Sequence, residues 1–447
     1  MGLIILIVAF VTEIALAAYR LISHANQGKI RSYIWIGAFA TFLLFTLMSV
    51  IQWSFRWYLL AGLLFVWAVI GAWRLLRHKP DTKAFSAVRT VFSSIGVLLL
   101  VFIAVIPTLI FPQFTPPKLT GEHAVATANF TYTDENHIET FTTTGENRKV
   151  NVGCWYPKDG GGPYPLVVFS HGTGGIKISN SSTFLELASN GYVVCAIDHP
   201  YHALFTLGSD GAFTRIDPAY WQEYLDVVNH KIDEAARFGI EHKWLSLRVA
   251  DMDFVVNSIL AQVKESDSAA LYRLIDPAKI GLIGHSIGGA ASGQLARERD
   301  DISAVINLDG DLLGEYVDFV NGSEVLNPAP YPVPLLNVYT DDMMRLIETV
   351  PNADEIVGSS HAAFTSPNGY EVHLKGANHF SVTDLPLVAP ALISIMRSSI
   401  PSIGAESADP HEINEKMNAL VLQFFNAYLK GEATIMVDET LFDTAAR

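Results

Sequence analysis

Four apolar stretches fill the first 111 residues, at 2–19, 33–53, 57–73 and 91–111. An α-helix needs about 20 such residues to cross the hydrocarbon core of a bilayer. Lipid offers no hydrogen bonds to the backbone, so segments of this kind are helical or not in the membrane at all. The first stretch also has some features of a cleaved signal peptide, since Ala15-Leu16-Ala17 resembles a cleavage site. No basic segment precedes it, however, and it is read as a span. The other three, in series, exceed what a soluble core would use.

Lys and Arg in the short loops set the orientation. The first loop holds Arg20, Lys29 and Arg31, the second only Arg56, and the third Arg74, Arg77, Lys79, Lys83 and Arg89. After the fourth span come Pro112, Pro116 and Pro117, with Lys118 alone. The first and third loops are therefore expected in the cytoplasm. Both termini, and everything after the fourth span, are expected outside it, in a multi-pass protein of the plasma or inner membrane. Glu13 lies within the first span. An intramembrane acid is a functional candidate, but its place near the cytoplasmic end favours a partly neutral or snorkelling carboxyl.

Charge divides the chain. Residues 1–111 carry nine Lys/Arg against two acids, a net +7, so residues 112–447 carry −22 within the formal total of −15. So acidic a part argues against a nucleic-acid partner, which needs clustered cations. The two cysteines, Cys154 and Cys195, form no zinc-like spacing, and neither metal nor cofactor is expected. They fall in strands expected to be neighbours, where cross-strand geometry is often poor for a disulfide, so two free thiols are expected.

The organisation that follows is a four-helix membrane domain at 1–111, a proline-containing tether at 112–126, an α/β domain at 127–432 and a C-terminal tail at 433–447. In the α/β domain strands are predicted at 149–156, 165–170, 192–198, 279–285, 303–309, 333–340 and 370–375. They are rich in Val, Ile and Leu with little alternation, as in a sheet covered on both faces. Helices are predicted at 181–190, 218–264, 286–298, 384–397 and 410–430. Such alternation gives a mostly parallel, doubly wound sheet.

Within that pattern, "KIGLIGHSIGGAA" puts Ser286 in Gly284-x-Ser286-x-Gly288, where a strand gives way to a helix. This is the context of a nucleophile elbow. The glycines allow a turn too tight for a Cβ, and the helix N-terminus directs backbone N–H groups at the serine. A serine nucleophile needs a base and a group that orients the base. His379, in "KGANHFSVTD", follows the last predicted strand and can fold back over the sheet edge; His361 precedes that strand. The acid has candidates at two strand ends, Asp309 in "AVINLD" and Asp341 or Asp342 in "LLNVYTDD". The loop "HGTGG" at 171–175 follows another strand, and its Thr173 N–H can join that of Ile287 as an oxyanion hole. It lacks the ending of a phosphate-binding loop.

At these residues the chain resembles the α/β-hydrolases of the platelet-activating-factor acetylhydrolase type, the secreted, calcium-independent phospholipase A2 class. The resemblance runs over roughly residues 125–430 and is sharpest at "VVFSHGTGG", "KIGLIGHSIGGA", "AVINLDGDL" and "GANHFSVTD". It implies an α/β-hydrolase fold and a serine carboxylesterase or lipase. It implies a Ser286–Asp309–His379 triad, choosing Asp309 over Asp341, with the backbone of Thr173 and Ile287 as oxyanion hole and a lipid or small ester as substrate. Thr173 stands where the family more often has a bulky apolar residue, and Ile287 where it has an aromatic. The four spans are not part of the family pattern. An acyltransferase on the same fold, or a non-catalytic membrane sensor or assembly protein, are the competing readings. The insertion at 201–262 carries Phe205, Phe213, Tyr220, Trp221, Tyr224, Phe238 and Trp244, which either cap an acyl pocket or pack the insertion onto the sheet.

Overall fold

The structure is a computed structural model that describes residues 2–25, 27–77, 85–265, 269–348, 356–400, 403–432 and 443–444. The chain divides into two compact units, Met1–Thr115 with Val388–Ser394, and Pro116–Leu387 with Ile395–Arg447.

The first unit contains helices α1 (Gly2–Ser23), α2 (Gly28–Leu47), α3 (Tyr58–Leu76) and α4 (Ala87–Ile110). All four helical segments are long and apolar enough to cross a membrane. α1 packs on α4 and α2 on α3. Phe42, Trp57, Leu60, Val101 and Val105 form a small buried core, while Leu3, Ile7, Phe65 and Phe92 point outward. An apolar exterior of this kind suits lipid rather than water. Glu13 does not snorkel. It is buried and paired with Arg31 of α2, whose guanidinium also reaches Ser94 Oγ of α4 at 3.4 Å. A low-dielectric surrounding favours such pairing over a lone carboxyl. Lys79 and Lys83 of the third loop lie outside the described residues.

The second unit is built on strands β1 (Val125–Ile138), β2 (Asn147–Pro157), β3 (Tyr164–Ser170), β4 (Val193–Asp198), β7 (Ile275–His285), β8 (Ile302–Leu308), β11 (Leu335–Thr340), β12 (Gly369–Leu374) and β13 (Asp443–Thr444). Two hairpins stand apart, β5 (Phe205–Leu207) with β6 (Phe213–Arg215) and β9 (Tyr316–Val320) with β10 (Ser323–Leu326). The sheet order is β1-β2-β4-β3-β7-β8-β11-β12-β13. It is parallel from β4 to β12 and antiparallel at its two edges. Successive strand residues face opposite ways. Leu166 and Val168 therefore join Met252 and Val255 of helix α7 (Glu234–Lys264) on one face. Val167 and Phe169 join Phe184 of helix α5 (Ser181–Ser189) and Phe424 of the helix Pro410–Phe425 on the other. Burial on both faces explains the unbroken apolar strands.

Besides the two hairpins and the short helices Asp341–Glu348 and Gly358–Thr365, which the sequence reading did not give, three departures bear on the architecture. β1 begins in the expected tether, and its polar, half-exposed sequence hides an edge strand paired along its length with β2. The helix expected over 218–264 is two, α6 (Pro218–Val228) and α7. Each has its own aspartate cap: Asp217 accepts the Tyr220 N–H at 2.8 Å and Asp233 that of Ala236 at 2.8 Å. The helix expected over 384–397 is divided at Pro390, which has no N–H to continue it. Cys154 and Cys195 are free, buried and in register across β2 and β4, with sulfurs 2.6 Å apart.

Candidate active site

β7 ends at His285 and helix α8 (Ile287–Glu298) begins at Ile287. Ser286 between them sits at φ +55°, ψ −128°, a conformation that costs a non-glycine residue about 1–3 kcal/mol. The surroundings enforce it. Ser286 N–H donates to Leu308 O at 2.9 Å, and Ser286 O accepts from Gly289 N–H at 2.8 Å. The flanking glycines have no space for a side chain: a Cβ on Gly284 would stand 2.1 Å from Gly288 O, and one on Gly288 2.1 Å from Ser170 O. Among the described residues the Ser286 hydroxyl makes no hydrogen bond.

Asp309 follows β8 and is 3 % exposed. Its Oδ1 accepts the Thr340 N–H at 2.6 Å, and its Oδ2 accepts Thr340 Oγ1–H at 2.9 Å. Oδ2 also lies 2.7 Å from His379 Nδ1. Burial raises the pKa of this carboxyl, but His379 and Thr340 outweigh it and hold it below the ordinary range. Burial lowers that of His379, and Asp309 together with the charge of Asp342 more than reverses this. With Nδ1 committed to Asp309, the neutral ring leaves Nε2 as an acceptor. His285 Nε2–H donates to His379 O at 2.9 Å, tying the His379 loop to the residue before Ser286. Burial and the His379 charge bring His285 down to about 3, so it is neutral.

The other acids are engaged elsewhere. Asp341 faces His373 Nε2 at 2.8 Å, and Asp342 accepts the backbone N–H of His379 at 2.9 Å. His361 donates to Asn327 O at 2.8 Å. The structure thus brings Asp309, and not Asp341 or Asp342, to the His379 ring. Sequence reasoning missed Thr340 and His285. The first carries no motif, and the second is hidden as the variable position of the elbow.

The 171–175 loop lies against the elbow. A Cβ on Gly172 would stand 3.2 Å from Ser286 Cβ. Thr173 Oγ1 is hydrogen-bonded to Tyr220 OH of α6 at 3.0 Å. Ile287 packs with Tyr220 and Trp244, so these insertion aromatics cover the start of α8, whereas Phe205 and Phe213 are exposed. Among the described residues neither the Thr173 nor the Ile287 N–H donates a hydrogen bond to another group.

A mostly parallel sheet with its serine on a strained strand–helix turn and its histidine and acid at later strand ends is an α/β-hydrolase fold. Residues 137–440 match the family described as Platelet-activating factor acetylhydrolase, isoform II, and the chain belongs to that family. A platelet-activating factor acetylhydrolase of Bos taurus is 28% identical over 197 residues, covering 40% of this chain and 40% of that protein. A probable 1-alkyl-2-acetylglycerophosphocholine esterase of Arthroderma benhamiae is 29% identical over 167 residues, 37% of this chain and 36% of that one. The matched segments thus span about two fifths of these relatives' own length. Among solved structures, a ferulic acid esterase from Streptomyces cinnamoneus superposes with a TM-score of 0.55 at 20% identity, over 72% of this chain and 94% of that one. That likeness concerns the fold.

Proposed function

We propose that this chain is a serine carboxylesterase that cleaves lipid or short-chain esters, with Ser286 as nucleophile, His379 as base and Asp309 as the orienting acid. The observation that carries the reading is the Asp309–His379 pair, with Nε2 unengaged among the described residues, on a loop tied through His285 to the strained Ser286. In this scheme Ser286 Oγ attacks the ester carbonyl while His379 Nε2 takes its proton. The carbonyl oxygen, now an anion, is held by the N–H groups of Thr173 and Ile287. The C–O bond to the alcohol then breaks, and the imidazolium returns the proton to the departing alkoxide. Water repeats the sequence on the acyl-enzyme and frees the acid. Asp309 stabilises the imidazolium throughout and stays ionised.

The names of the relatives point to an acyl ester of a glycerophospholipid, and four membrane helices suit an enzyme whose ester lives in the bilayer. Residues 111–124 separate α4 from β1, and at about 3.3–3.6 Å per residue they reach at most ~50 Å. The domains proposed are thus a membrane anchor, a short tether and a hydrolase unit outside the cytoplasm. A fluorophosphonate probe tests the core of the reading on the full chain. Covalent labelling at Ser286, lost in Ser286→Ala, supports it; a wild-type chain that takes no label overturns it.

A further inference from the structure

Arg248 of α7 is wholly buried, 0 % exposed, and makes no ion pair among the described residues. A buried cation is costly unless something compensates it. The nearby carboxylate, Asp251, is committed elsewhere: it takes Arg148 Nε at 2.6 Å, Arg148 Nη2 at 2.8 Å and His199 Nδ1 at 2.9 Å. Arg248 turns instead to the Tyr220 hydroxyl and to backbone. Its Nη1 donates to His171 O, and its Nη2 lies 3.5 Å from Gly172 O. Those carbonyls begin the 171–175 loop.

The Gly172 carbonyl is held from two further directions. His171 Nδ1–H donates to it at 2.7 Å, and the Gly175 N–H at 3.0 Å. His171 itself is fixed in that tautomer, because its Nε2 accepts the His199 N–H at 3.3 Å. The carbonyl of Gly172 and the N–H of Thr173 belong to one planar trans peptide, in which they point in opposite directions. Drawing the carbonyl inward therefore turns the Thr173 N–H away from Arg248. A cation at the oxygen end also polarises the peptide and strengthens its N–H as a donor. Gly172, on the near side of this peptide, and Gly174, beyond it at φ +66°, are permissive residues. His171, Gly175 and the Arg248 cation together oppose rotation of this peptide.

We infer that Arg248 is a positioning residue: it holds the Gly172–Thr173 peptide so that the Thr173 N–H is presented to the oxyanion. This rests on the proposed esterase reading and assigns to Arg248 a share, beside His171 and Gly175, in keeping its oxyanion hole in order.

The test uses the full chain in detergent micelles, as wild type, Arg248→Met and Arg248→Lys. Turnover of 4-nitrophenyl acetate is measured per active site, with the active sites counted by fluorophosphonate titration. Affinity for an alkyl trifluoromethyl ketone, whose serine adduct carries an oxyanion, is measured beside it. In Arg248→Met, kcat is expected to fall by about 100-fold, the scale of one lost oxyanion donor, with KM nearly unchanged. Ketone affinity is expected to fall by a similar factor. Arg248→Lys, whose ammonium can reach one of the two carbonyls, is expected to recover about tenfold of the loss. A merely structural arginine would lower the number of active sites or the melting temperature and leave kcat and ketone affinity per site alone, and that result overturns the inference. Should Arg248→Met not fold, Arg248→Lys decides by the same split between kcat and KM. A wild type with neither turnover nor labelling removes the esterase reading itself, and this inference with it. An active wild type beside an indifferent Arg248 variant removes only the inference.

Discussion

His379 Nδ1 lies 2.7 Å from Asp309 Oδ2, and the backbone and side chain of Thr340 hold both oxygens of that carboxylate. A carboxylate fixed at both oxygens cannot turn away from the ring. The ring in turn is fixed in the tautomer whose Nε2 can accept a proton.

The first prediction follows from that constraint. Asp309→Asn presents either an amide oxygen or an NH₂ to Nδ1 and loses the charge that supports the imidazolium. Its kcat on a soluble ester is expected to fall by about 10³–10⁴-fold, and those of Ser286→Ala and His379→Ala by at least as much. Asp341→Asn and Asp342→Asn are expected to stay within about tenfold of wild type, since neither acid touches the ring. Near-normal turnover in Asp309→Asn, beside a collapse in Asp341→Asn, would reassign the acid.

The pH profile tests the same pair. Burial disfavours the charged ring, but the hydrogen bond and charge of Asp309, with the charge of Asp342, carry His379 above its ordinary 6.5. The base must be neutral, so kcat/KM is expected to fall on the acid side with an apparent pKa above 6.5. His285, at about 3, does not titrate in that range. In Asp309→Asn the residual activity is expected to show this limb at lower pH. For stability the two signs differ. The His379 contribution is complete below 6.5 and is lost as pH rises through the higher folded value. The Asp309 contribution is present above 3.8 and is lost as pH falls through the lower folded value. A limb that does not move in Asp309→Asn would detach this pair from the rate.

Stability elsewhere depends on Arg148. It is 5 % exposed, and besides Asp251 it binds Glu139 through Nη1 at 2.8 Å. Arg148→Met leaves two buried carboxylates without their cation, at a cost of about 3–5 kcal/mol at neutral pH. Burial alone would raise the Asp251 pKa, but Arg148 and His199 hold it well below 3.8. The wild-type advantage is therefore present above 3.8 and shrinks as pH falls through the folded value of Asp251. Denaturant unfolding of both proteins at neutral and acid pH checks this. A gap that widens on acidification would contradict it.

Much of this arrangement was legible in the chain. The buried strands β3, β4, β7, β8, β11 and β12 announce themselves as apolar runs between turn residues, and all but β7, which begins four residues earlier at Ile275, fall within about two residues of the expected span. β1 did not, because an edge strand half-exposed to solvent carries few apolar residues among its polar ones. Asp309 and His379 stand out as polar residues at strand ends, yet the residues alone left three acids open. The difference lies in Thr340, which clasps Asp309 from the neighbouring strand. Arg248 was illegible for a related reason. A basic residue on a helix reads as solvated, and its backbone partners lie 76 and 77 residues away in the chain.

Orientation is checked at the C-terminal end. From the loop charges, the α1–α2 and α3–α4 turns are expected in the cytoplasm. A reporter that is active only in the cytoplasm, fused after Arg447, is expected to stay silent. A bright signal would reverse the topology and put the hydrolase unit on the cytoplasmic side.

The last prediction separates chemistry from anchoring. Ser286, Asp309, His379, Thr173 and Ile287 all belong to the second unit. A chain beginning at Pro117 is therefore expected to keep turnover on 4-nitrophenyl acetate, and to keep it in chelator, because no step of the proposed scheme uses a metal. On a short-acyl phospholipid presented in vesicles the comparison changes. There the full chain, reconstituted in the same bilayer, meets its substrate at an effective concentration set by a tether of a few tens of ångströms. The shortened chain must first reach the surface from solution. Its rate on the vesicle ester is expected to be at least about tenfold lower, with the ratio returning towards one when the same lipid is offered in mixed micelles. Equal vesicle rates would remove the anchor from the mechanism. Loss of the soluble-ester activity in chelator would count against the metal-free triad instead.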